Sequence, residues 1–306
     1  MIPARPFGGT GLKVSALGMG CAALGAFWQG RSLPLGQRAL QEAVDQGITF
    51  FDTADMYARG ISERLVGAVA RSSSQDLVLC TKVGSLKTPV AAASAQRSGC
   101  GPGTSAAGWL RTLQGMARES VPAQCFTSAY VERAAERSLR RLGADHVDVL
   151  LLHSPPREVI ERGAFLDGAA RLRQQGKVRH FGISCAGPQA AAAALATPGV
   201  ECLELPCNPQ VQGAYAAVLG EASRRGIPVV ARSVFGTGAL LAPAAGGGRV
   251  AQACLQFALQ TPGVSVVLAG MSRPEHVRSN AALVGAAPLP DEELDRILAP
   301  LGGDQG

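Results

Sequence analysis

Aromatic side chains are scarce in this chain of 306 residues, which has nine Phe, three Tyr and two Trp. That poverty extends to the segment 84–127, whose only aromatics, Trp109 and Phe126, leave no evident stacking platform for sugars. It also singles out Trp28 and Trp109 as candidate walls of a substrate pocket, a packed surface ring being the competing reading. Charge is low too, at 17% against 47% hydrophobic residues, which excludes a disordered chain. The net charge of +6 does not point to nucleic acid. The arginines are scattered over helical stretches such as Arg133, Arg137, Arg140 and Arg141, the pattern of a solvated face. There are eight cysteines but no Cys-x-x-Cys pair, so no zinc knuckle and no metal are expected. No 18-residue apolar run is present to span a membrane, and the first residues hold no apolar leader segment. The expected setting is reduced and cytoplasmic. A Gly-x-Gly-x-x-Gly fingerprint is missing as well, since Gly18-Met19-Gly20 lacks its third glycine.

What is present is a regular alternation of short apolar runs with helical periodicity. Strands are expected at 16–20, 49–52, 77–82, 147–153, 178–184, 202–207, 228–233 and 265–269. Helices are expected near 36–46, 61–71, 128–142, 158–175, 187–196, 211–225, 249–261 and 274–284, with a last one at 290–299. The strands are β-branched or leucine runs without polar alternation, as parallel strands buried on both faces require. Eight such units in one chain favour a closed (β/α)8 TIM barrel over a doubly wound sheet. Gly8-Gly9-Thr10-Gly11 joins two short segments into an N-terminal β-hairpin. The helix at 128–142 shows the pattern well, with Ser128 placed to cap it, Val131, Ala134, Ala135, Leu139 and Leu142 as its stripe, and Gly143 as its stop. The chain reads as a single domain over 1–306, with a long loop at 84–127 on the active-site side.

Four residues suited to proton transfer stand at, or just past, the carboxyl ends of three of these strands. Asp52 ends one, Tyr57 follows five residues later, Lys82 ends the next and His153 ends a third. A parallel barrel places its chemistry on that rim. Each residue has a plain alternative: Asp52 as a turn cap, Tyr57 as core, Lys82 as a solvated charge, His153 as a structural histidine. Anion binding is expected after the last strand, where Gly270, Ser272 and Arg273 precede Pro274, a residue suited to a first helical turn.

The segments Phe50–Gly67, Thr81–Gly84, Tyr130–His153, Gly176–Ser184 and Gly270–Asn280 resemble, in order and spacing, the aldo-keto reductase superfamily over nearly the whole chain. The resemblance implies NADPH-dependent reduction of an aldehyde or ketone, with Asp52, Tyr57, Lys82 and His153 as the catalytic tetrad and Tyr57 as general acid. Lys82 is expected to pull the phenol's pKa down while Asp52 neutralises the lysine. It also implies contacts to the nicotinamide carboxamide from Ser184, Cys185 and Glu204, where relatives carry Ser, Asn and Gln. Cys185 and Glu204 are departures: a carboxylate accepts from the amide NH2 but cannot donate to its carbonyl. Arg232 is expected against the nicotinamide ring, or in a strand-end ion pair. Gly236 and Gly238 are expected near the pyrophosphate, Ser272 and Arg273 at the 2′-phosphate, and His276 and Asn280 at the adenine end. Oxidation of a sugar or other alcohol is the runner-up, and a non-catalytic cofactor-binding subunit the rival from another class.

Overall fold

The computed structural model describes residues 2–24, 32–86, 123–241 and 247–301. Eight parallel strands close into a barrel: β3 (Leu17–Gly20), β4 (Phe50–Asp52), β5 (Val78–Val83), β6 (Val147–His153), β7 (Val178–Ser184), β8 (Cys202–Pro206), β9 (Val229–Arg232) and β10 (Val264–Gly270), which returns to β3. All eight fall within one or two residues of the apolar runs in the sequence. A hairpin of β1 (Ala4–Pro6) and β2 (Lys13–Ser15) precedes them, pairing Ala4 with Ser15 and Pro6 with Lys13.

The hairpin closes the bottom of the barrel. Phe7 and Val14 pack into the interior with Phe50, Val78, Cys80, Val149, Leu151, Cys202, Val230, Val266 and Leu268. The Phe7 and Phe50 rings lie 5.6 Å apart. Full burial of one such ring contributes about 1.5–3 kcal/mol, so this plug is a substantial part of the inner core. A second, larger apolar layer fills the space between the barrel and its helices.

The outer helices are α1 (Leu33–Asp45), α2 (Ile61–Ser72), α3 (Ser128–Leu142), α4 (Arg157–Arg162), α5 (Leu166–Gln174), α6 (Pro188–Ala196), α7 (Gln212–Arg224), α8 (Gly247–Gln260), α9 (Pro274–Gly285) and α10 (Asp291–Leu298). Two depart from the expected spans by more than two residues, and a third in its cap. Helix α1 starts earlier, because Ser32 caps Leu35 and Pro34 is tolerated in the first turn. The single helix expected at 158–175 is two, since Gly163 adopts a left-handed conformation (φ 64) and ends α4. In α3 the cap position is Thr127, not Ser128. The Ser128 hydroxyl instead donates to the Ala164 carbonyl and accepts from the Gly168 N–H, tying α3 to α5.

The ends of the 84–127 loop are pinned, with Ser85–Leu86 pairing antiparallel to Ala123–Gln124. Its middle, with Trp109, lies outside the described residues, as does Trp28. Cys21, Cys80, Cys185, Cys202, Cys207 and Cys254 are buried free thiols. Cys125 is disulfide-bonded, against the expectation of reduced thiols throughout, and no short-spaced cysteine pair signals it in the sequence. Among the described residues no helix is long and apolar enough to cross a membrane.

Candidate active site

Strand alternation decides which side chains reach the barrel mouth. Phe50, Cys80, Val149, Leu151, Cys202 and Val230 line the interior. Residues an even number of steps further along each strand therefore share that face: Asp52, Lys82, His153, Glu204 and Arg232. Register brings them to one level, with Glu204 opposite both Ser184 and Val230, and His153 opposite Ser184.

Lys82 is fully buried and donates to Asp52 Oδ1. It also lies 3.2 Å from Glu204 Oε2, a partner the sequence reading did not assign to it. Glu204 in turn accepts from Ser184 Oγ at 2.9 Å on its other oxygen. The centre thus holds one ammonium between two carboxylates. Burial alone would pull the lysine's pKa down, but Asp52 and Glu204 outweigh it and hold it well above its ordinary value. Asp52 is pushed up to about 7 by burial and then by Glu204, against the pull of Lys82.

Tyr57 packs edge-on against His153, with ring centroids 5.7 Å apart and planes at 87°. Lys82 Nζ is 5.4 Å from the centre of the phenol ring. The expected downward shift of the phenol does not occur. Burial raises its pKa, and Asp52 and Glu204 add to that, so the opposing effect of Lys82 is overridden.

The turn that carries Tyr57 is strained and strapped down. Ala58 (φ 47) and Arg59 (φ 57) are both left-handed, as is Gly60 (φ 85), which caps α2. Two such non-glycine residues cost about 1–3 kcal/mol each, which the surroundings must offset. Asp55 N–H bonds the Lys82 carbonyl at 3.0 Å, and Thr53 Oγ1 meets Ser62 Oγ at 2.8 Å. Beneath the turn, buried Glu63 accepts from Thr81 Oγ1 and pairs with Arg141. Asp55, beside this pair, is pushed up to about 7 by burial and then by Glu63. On the opposite side Gln124 donates to the carbonyls of His153 and Ser154. Neither support carries a sequence motif: Gln124 sits at the end of the irregular loop, and Ala58 and Arg59 give no glycine signal.

The remaining predicted residues divide. Ser184 and Glu204 sit together on the mouth. Cys185 places its thiol, fully buried, in the apolar layer outside the barrel, while its carbonyl accepts from Arg232 Nη2 at 2.9 Å. Arg232 also donates to Ser233 Oγ and has its Nε 3.5 Å from Glu204 Oε1, the strand-end ion pair among its two readings. Gly236 (φ 56), Thr237 (φ 56) and Gly238 (φ 100) form a left-handed run after β9. Ser272 is buried and Arg273 exposed, directly before α9, where Arg273 is the cap residue. On α9, His276 is exposed and Asn280 buried.

A family model, Aldo/keto reductase family, matches residues 16–248 and 241–299. The chain belongs to the aldo/keto reductase family. It is accordingly an NAD(P)H-dependent oxidoreductase. Among curated members, pyridoxal 4-dehydrogenase of Microbacterium luteolum is 28% identical, over 94% of each chain. D-threo-aldose 1-dehydrogenase of a Pseudomonas species is 27% identical, over 89% of each. An aldo-keto reductase from Bacillus halodurans, solved in its holo form, superposes with a TM-score of 0.76 at 24% identity, covering 99% of this chain and 97% of that one. Another from Klebsiella pneumoniae, solved with NADPH, gives 0.72 at 23% identity over 100% and 98%.

Proposed function

We propose that this aldo/keto reductase converts an aldehyde or ketone to the alcohol with NADPH, Tyr57 serving as general acid. The observation that carries the reading is the convergence of half-buried Tyr57 and His153 with buried Lys82 at one point of the barrel mouth. A bound nicotinamide supplies the hydride. Tyr57 holds its proton through neutral pH, the state in which a general acid works, and releases it to an oxygen that becomes far more basic as the carbonyl is reduced. His153 supplies a second polar group beside the phenol. Asp52 fixes the position of Lys82, and the strapped turn fixes Tyr57.

The mouth fits a carboxamide-bearing cofactor. Glu204 Oε2 is buried and has no hydrogen-bond donor of suitable geometry, so it can accept from an amide NH2. Ser184 and Arg232 flank it. Ser272 and Arg273, at the start of α9, would hold the 2′-phosphate, aided by the helix N-terminus. The relative solved with NADPH supports the choice of phosphate form. The two dehydrogenases among the relatives support a second reading, alcohol oxidation, in which the same proton path runs backward.

The test is Tyr57→Phe assayed by NADPH consumption with a panel of aldehydes. Turnover should fall by about 10²–10⁴, the usual contribution of a positioned acid, while NADPH binding followed by fluorescence is unchanged. A variant that keeps most of its turnover would end the assignment. A wild-type protein that binds NADPH and reduces nothing on the panel would favour the non-catalytic subunit.

A further inference from the structure

Two carboxylates and one ammonium are enclosed at the barrel mouth. Asp52 is matched by the lysine's hydrogen bond, whereas Glu204 has one oxygen bonded to Ser184 and the other, Oε2, without a hydrogen bond. Arg232 ion-pairs with Glu204 through the other oxygen, Oε1, and leaves Oε2 to the Lys82 side. Its Nη groups point to the Cys185 carbonyl and the Ser233 hydroxyl, and its nearest approach to Glu204 is 3.5 Å. Lys82 Nζ is 3.2 Å from Glu204 and 5.4 Å from the centre of the Tyr57 ring, so a ring placed to deliver hydride to a carbonyl held by Tyr57 would lie on the same side of the mouth as Glu204.

Nicotinamide changes charge with its redox state: the oxidised ring is a cation and the reduced ring is neutral. A fixed carboxylate discriminates between them, whereas a neutral amide at the same place does not. We propose that Glu204 makes the site bind the oxidised cofactor more tightly than the reduced one, biasing the enzyme toward alcohol oxidation. The inference rests on the hydride-transfer reading above. In that direction the carbinol C–H bond breaks with its electron pair passing to the ring, and the hydroxyl proton leaves through Tyr57 to solvent, giving carbonyl, reduced cofactor and one proton. Two unit charges about 6 Å apart at an effective dielectric near 20–40 correspond to a preference of roughly tenfold or more.

Titration supplies a second readout. Glu204 is faced by Asp52 from β4, by Cys80 and Lys82 from β5, by Tyr57 from the turn after β4, and by Ser184 and Arg232 from β7 and β9. Asp52 loses its proton near pH 7, so the enclosed negative charge grows between pH 6 and 8.

The experiment is calorimetric or fluorescence titration of wild-type protein and Glu204→Gln with NADP+ and with NADPH. In the wild type NADP+ should bind more tightly, and its advantage should widen from pH 6 to 8; taking the ratio cancels the titration of the shared 2′-phosphate. Glu204→Gln should shrink the ratio by about tenfold, chiefly by weakening NADP+. An unchanged ratio, or equal weakening of both forms, overturns the inference. If the variant does not fold, a wild-type ratio at or below one, or one flat in pH, overturns it equally. If neither form binds the wild type, the hydride-transfer reading itself fails and takes this inference with it.

Discussion

Replacing Lys82 with methionine isolates what one ammonium does for two buried carboxylates. Methionine keeps most of the stem's volume, so the packing loss is under about 1.5 kcal/mol. The electrostatic loss is larger. Asp52 loses its hydrogen-bonded cation and Glu204 its neighbour at 3.2 Å, while both remain buried. Breaking a buried pair by removing one partner costs about 3–5 kcal/mol, a large share of a total stability of roughly 5–15 kcal/mol. The cost should depend on pH in a definite sense. The folded pKa of Asp52, about 7, already lies above its unfolded value near 3.9, so between these limits the folded chain binds more protons than the unfolded one. Stability from this group is therefore fullest below about pH 4 and falls as pH rises toward 7, by at most about 1.4 kcal/mol per pH unit for each extra proton. Without Lys82, which acts to lower it, Asp52 holds its proton to higher pH and the slope extends further. Urea denaturation followed by circular dichroism should show Lys82→Met destabilised by about 3–5 kcal/mol at pH 8.5 and by little more than the packing loss at pH 5. An equal penalty at both pH values would refute the account of Lys82 as the counter-ion of a doubly acidic site.

Two further outcomes test other parts of the molecule. Arg273→Ala should raise KM for NADPH by about 10- to 100-fold, the weight of a charge-assisted hydrogen bond, with a much smaller effect on NADH; equal effects in steady-state assays would remove Arg273 from the phosphate site. Gly67→Ala should lower the melting temperature, because its new Cβ would stand 1.9 Å from the Leu142 carbonyl oxygen where α2 crosses α3. Overpacking of about 1–3 kcal/mol outweighs the gain in helix propensity of about 1 kcal/mol, and a thermal scan showing no loss would refute the close approach.

The barrel was legible because its strands are buried on both faces. Runs such as Val147–Leu152 admit few other readings, and the two-residue alternation then carries Asp52, Lys82, His153, Glu204 and Arg232 to one rim. What escaped is tertiary in origin. Gly163 inside an otherwise helical pattern reads as tolerated until its left-handed conformation is seen. Ala58 and Arg59 adopt left-handed angles that no residue type announces. The Tyr57 shift runs opposite to the expectation because burial of the phenol, aided by Asp52 and Glu204, outweighs the lowering by Lys82. Part of that balance comes from β8, separated from β5 by two strands, bringing Glu204 beside Lys82, a relation between residues 82 and 204 that sequence spacing does not express.

That relation links the proton and the hydride. Tyr57 resists ionisation first because it is shielded from water, and then because a phenolate would add negative charge beside Asp52 and Glu204. A further cation admitted beside Glu204 would offset that added charge. On the proposed reading an oxidised nicotinamide ring is such a cation, so the charge that draws it in also makes the phenolate tolerable. Tyr57 is then able to accept the proton of an alcohol when the ring is oxidised, and to donate one to a carbonyl when the ring is neutral. A glutamine at position 204 would weaken this link, removing a negative charge that raises the phenol's pKa in both states. The departure at Glu204 therefore bears on the timing of proton transfer as well as on the grip on the cofactor.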